Sequence, residues 1–139
     1  MSGLDQLVRL QKWSLDEKRR QATDLEALID RLNGDLTKLD AELAREIEAA
    51  RNDIELQRAL PAYRQAMADR RERLEKSIAD LAGELEKLRE QITEAFTELK
   101  KTEQTIANRQ QRQRNTQRRR DQIQADDLAI DIHRRKSKE

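Results

Sequence analysis

From Leu74 to Ile106 the apolar residues recur at alternating steps of four and three: Leu74, Ile78, Leu81, Leu85, Leu88, Ile92, Ala95, Leu99 and Ile106, with Thr102 the one polar member. This is the a/d seam of a coiled-coil helix, and a stripe so narrow must be covered by another helix. A second seam lies upstream at Leu4, Val8, Gln11, Leu15, Lys18, Ala22, Leu25, Ile29, Leu32, Leu36, Leu39 and Leu43. It is strong from Leu25 to Leu43 and weak before that, where Gln11 and Lys18 occupy the stripe. Ile47, Ala50 and Ile54 continue it with the drift that a period of 3.6 shows against 3.5. Ser2 and Asp5 fit a capping pattern, which starts the first helix near Gly3. Pro61 is the only proline, and proline suits the first position of a new helix. The pattern therefore predicts a helix over about residues 3–57, a turn at about 57–61 and a second helix over about 61–135. One continuous helix kinked at Pro61 is the other reading.

Folding back at such a turn lays the two strong seams side by side. It sets Leu43 near the level of Glu75, Ile29 near Arg89 and Leu4 near Arg114. The expected fold is all-α: one domain over 1–139, a two-helix antiparallel coiled-coil hairpin whose second helix extends beyond the first. Beyond about Asn115 the second helix has no first helix beside it. Gly34 and Gly83 fall at one level, both outside the seam. They read either as tolerated glycines, each about 1 kcal/mol worse than Ala, or as a bend or a close approach.

Composition sharpens this picture. Charged residues make up 41% of the 139, aromatics 2%, and there are three Gly and one Pro. Charge at that level invites disorder, but the periodic apolar placement and scarcity of breakers point to long helices. Net charge is only +1, so the whole molecule is not steered towards nucleic acid or membrane. With no cysteine there is no disulfide or Cys metal site. No apolar run reaches the length of a signal sequence or a membrane span, and a soluble, intracellular protein is expected.

Candidate chemistry is sparse. His133 is the one histidine, carboxylates mostly sit three or four residues from Lys or Arg as helix-surface pairs, and no glycine-rich phosphate loop occurs. The expectation is a non-enzyme with no cofactor and no metal. Three regions stand out as contact surfaces. The stretch from Ala107 to Arg120 holds six arginines (Arg109, Arg112, Arg114, Arg118, Arg119 and Arg120) and no acid, and is followed by Ile123, Leu128, Ile130 and Ile132. An acidic protein surface suits it better than nucleic acid, because no aromatics interleave for base stacking. Arg134 to Glu139 read as a basic, frayed tail. Trp13, with Leu10 nearby, is either an exposed anchor or is packed on the second helix. Leu56, Leu60, Tyr63 and Met67 either cap the turn end or form an apolar docking knob.

Four segments resemble the FliJ family of flagellar export proteins: LVRLQKWSLDEKRRQ from Leu7 to Gln21, RERLEKSI from Arg71, EAFTELKKTE from Glu94 and RDQIQADDLAI from Arg120. The resemblance implies an antiparallel coiled-coil hairpin like the central stalk of rotary ATPases. It implies a place in the flagellar type III protein export apparatus, in the cytoplasm at the inner-membrane face, serving flagellum biogenesis and motility. The implied partners are a hexameric export ATPase, the cytoplasmic domain of the export gate protein, and export chaperones. Carried onto this chain, the ATPase-ring contact falls regionally on Lys12, Trp13, Arg19, Arg118, Arg119, Arg120, Ile123 and Asp127. The gate contact falls near Leu56, Tyr63 and Met67. A hairpin monomeric in isolation and without nucleic acid follows from the same reading. The alternatives are a purely structural coiled coil, a virulence-type secretion stalk protein and, further off, a basic-helix nucleic-acid binder.

Overall fold

The computed structural model of the chain describes residues 3–138, so the cap expected at Ser2 lies outside the described residues. The fold is an all-α antiparallel hairpin: α1 spans Gly3–Ala50 and α2 spans Ile54–Ser137, 48 and 84 residues long. The chain divides into two units. One is Trp13–Ala95, which holds the turn; the other joins the start of the chain, through Lys12, to Phe96 and everything after it.

The turn is at Arg51–Asp53, not at 57–61, and α2 begins at Ile54 rather than Pro61. The cause is a cap. Asp53 Oδ1 accepts from the backbone N–H of Glu55 at 3.0 Å and of Leu56 at 3.3 Å, satisfying two orphan donors of the first helical turn. Glu55 adds an acid where the helix dipole favours one. Gln57 Nε2 reaches back to the Arg51 carbonyl at 3.1 Å. Pro61 therefore lies inside α2, where it cannot donate to the Gln57 carbonyl. Residues 54–59 are all exposed, so solvent is available to that carbonyl's neighbourhood. Ile54, expected to prolong the first seam, starts α2 instead and is 68% exposed.

In the turn-bearing unit, α1 turns Leu15, Lys18, Ala22, Leu25, Ile29, Leu32, Leu36, Leu39, Leu43, Ile47 and Ala50 away from solvent. The α2 seam runs through Leu74, Ile78, Leu81, Leu85, Leu88, Ile92 and Ala95. It also continues towards the turn through Leu60, Tyr63, Met67 and Arg71. Ala22, Leu85 and Leu88 form a cluster of buried side chains, with Leu25, Ile29 and Ile92 packed against it. Register is marked by two exposed ion pairs between the helices: Arg71 with Asp40, and Arg89 Nη2 with Glu26 Oε1 at 3.3 Å. A turn near residue 59 would have put Ile78 and Ile92 at those two levels. The pairs lie closer to the turn because the turn itself does. The Asp40 carboxylate holds the Arg71 guanidinium above its ordinary pKa, by hydrogen bond first and by charge second.

Gly34 and Gly83 have helical backbone, and a Cβ built on either meets nothing within 4 Å. No close approach requires glycine there. Gly34→Ala and Gly83→Ala are each expected to stabilise the hairpin by about 1 kcal/mol, since Ala removes backbone entropy from the unfolded chain. Denaturant midpoints check this; a fall in either midpoint would mean that the position bears a contact absent from the isolated chain.

Candidate functional site

The second unit is built differently. Residues Gly3–Lys12 of α1 lie against α2 through Leu4, Val8 and Gln11, all half-buried, with Thr102, Glu103 and Ile106 half-buried on α2. None of residues 3–12 is fully buried. An open groove of about 500 Å³ is lined here by Asp5, Val8, Arg9, Lys12, Glu103, Ile106, Ala107 and Gln110. Its walls set both signs of charge beside the apolar Val8, Ile106 and Ala107, and it is open along the surface rather than enclosed. Gln11 Oε1 is buried in this contact and no donor reaches it. Such an acceptor costs about 1–3 kcal/mol relative to one that is satisfied.

Past this contact α2 continues alone. Every residue from Gln111 to Lys138 is exposed. The helical part of that stretch, to Ser137, is about 40 Å long at 1.5 Å per residue. Among the described residues Arg118, Arg119 and Arg120 have no hydrogen-bond or ion-pair partner. Ile123 and Leu128 are 60% and 61% exposed, and Ile130 and Ile132 are also open to solvent. Asp127 stands among them, exposed. Gln117 donates to Asp121 at 2.9 Å and Gln122 to Asp126 at 3.1 Å, local pairs that support the helix without covering its apolar side chains. The tail expected to fray from Arg134 is helical through Ser137, its Arg134, Arg135 and Lys136 favourably placed at the negative end of the helix dipole. Of the residues assigned to a ring contact, Lys12, Arg118, Arg119, Arg120, Ile123 and Asp127 belong to this unit.

Trp13 and Arg19 belong to the turn-bearing unit. Trp13 is 63% exposed, so it is not packed away on α2, and Arg19 faces Asp16 at 3.9 Å on the surface. At the turn end the expected knob is only partly there. Met67 is buried, because it is a seam residue of α2. Tyr63 is half-buried. Desolvation first, then Glu46 and Glu42, keep its phenol protonated above the ordinary range, with Arg70 opposing. The exposed apolar groups at this end are Ile54 and Leu56. Sequence reasoning missed Ile54 as a surface group by extending the first seam one turn too far; the Asn52–Asp53 pair was the available signal. It also missed Phe96, exposed with Lys100 Nζ 5.2 Å from its ring centre, a cation–π pair on the surface of α2.

Among the described residues no group of three or more His, Asp or Glu side chains is placed to hold a metal ion. No helix among them is long and apolar enough to cross a membrane. His133 is exposed near the end of α2. No protein-family profile, curated protein or solved structure matches the chain.

Proposed function

We propose that the chain is a non-enzymatic stalk or adaptor of the flagellar type III export apparatus. Its paired ends enter the ring of the hexameric export ATPase, and its turn end addresses the export gate. The resemblance of the Leu7–Gln21 and Glu94–Glu103 segments to the FliJ family supplies the system. One structural observation supports the ring contact: a bare helical arm with uncommitted arginines and open isoleucines, from Gln111 to Ser137. Such a surface gains most from an acidic, partly apolar recess, because salt-screened attraction brings it in and apolar burial then holds it. Lys12, on the paired α1 segment, adds to the same end. At the turn end, Ile54 and Leu56 replace Met67 as the side chains offered to a gate domain, with Tyr63 beside them.

The test is co-purification of the full chain with a hexameric export ATPase at two salt concentrations. Capture that weakens as salt rises is expected. Failure to bind the ATPase at low salt, with salt-sensitive binding to duplex DNA in its place, would reject the proposal in favour of a basic-helix binder.

A further inference from the structure

We infer that residues 3–12 of α1 form a releasable clasp on α2, set to open by the Gln11 layer. Three observations meet there. The clasp has no fully buried side chain, only Leu4, Val8 and Gln11 half-covered. Gln11 places a buried Oε1 on the seam with no donor among the described residues, so closing the clasp desolvates an acceptor at that layer. The groove beside it, between Val8, Arg9 and Lys12 on one helix and Glu103, Ile106 and Ala107 on the other, leaves the flank of this contact open to solvent. A leucine at position 11 would continue the apolar repeat, so the polar choice weakens docking at the layer between Val8 and Leu15.

Release has a definite consequence. The Ile106 side chain, half-buried by the clasp, joins the bare face that begins at Gln111. A partner that grips α2 from this side therefore competes with α1 for the same stripe. Partner binding and clasp closure oppose each other by equal factors, as linkage requires. The clasp is a built-in competitor that sets how much of α2 is offered. This inference rests on the packing of residues 3–12 on α2 and not on which partner the arm takes.

The chain has no cysteine, so Arg9→Cys and Ala107→Cys give two unique spin-label sites across the groove. Pulsed dipolar spectroscopy of the doubly labelled full chain is expected to show a narrow short-distance population and a broad longer one. Gln11→Leu in the same background should collapse these to the narrow population. Amide exchange of residues 7–12 should slow at least tenfold in Gln11→Leu, while residues 25–43 are unchanged. A single narrow distribution in the parent would overturn the clasp. So would exchange at residues 7–12 that Gln11→Leu leaves unaltered.

Discussion

Leu85→Asp is expected to abolish the helical circular dichroism of the Trp13–Ala95 unit at room temperature, whereas Leu85→Ala only lowers its denaturant midpoint. Leu85 is 6% exposed and sits in the cluster with Ala22 and Leu88, against which Leu25, Ile29 and Ile92 pack. Truncation to Ala removes apolar contacts and leaves a partly collapsible gap, a loss of about 2–5 kcal/mol. Aspartate adds a charge among apolar side chains, and the helix lowers that penalty only by coming apart. A domain typically has a net stability of about 5–15 kcal/mol. A two-helix hairpin has no third element to supply spare burial, so the larger loss exceeds what it holds. Equal midpoints for the two variants would show that this layer is not where the hairpin is held.

The second large effect separates binding from folding. Reversing Arg118, Arg119 and Arg120 to Glu is expected to leave helical content and thermal midpoint unchanged, and to weaken ATPase capture at least tenfold. The three side chains are exposed and have no partner among the described residues, so folding gains little from their charge. Glutamate has nearly the helix propensity of arginine. An acidic partner, by contrast, meets a change of six charges over one turn, and like charges brought together oppose encounter as well as docking. The single variant Arg119→Glu should move capture in the same direction by a smaller factor. A parallel loss of helicity would mean that these arginines hold the arm together.

The seams were legible at the level of single residues. Two-helix packing asks only which positions face the partner, and spacing answers that: Leu25 to Leu43 and Leu74 to Ile106 are turned from solvent as their intervals require. The turn was not legible in the same way. An apolar rhythm runs through Ile47, Ala50 and Ile54 without a gap, and Pro61 is the louder breaker. Yet proline only forbids one donor, while Asp53 supplies an acceptor to two. The α2 seam near the turn was hidden because Arg71 occupies one of its positions, with a guanidinium that stays at the surface on Asp40 and Glu75. Had Arg71 been read as a seam residue, Met67 and Tyr63 would have followed four and eight residues before it. The bare arm was foreseen from the unequal helix lengths. The absence of ion pairs at Arg118 to Arg120 was not, because which charges find partners depends on rotamers that spacing does not fix.

The proposal that the arm of α2 is what this protein offers its partner is tested most directly by removing it. Chains 1–139 and 1–114 should be compared for capture by a hexameric export ATPase, with circular dichroism on both. The expected result is capture by the full chain and none by 1–114, while the shorter chain keeps the cooperative unfolding of the hairpin. Capture by 1–114 at undiminished affinity would contradict the proposal and would move the contact to the paired helices or the turn.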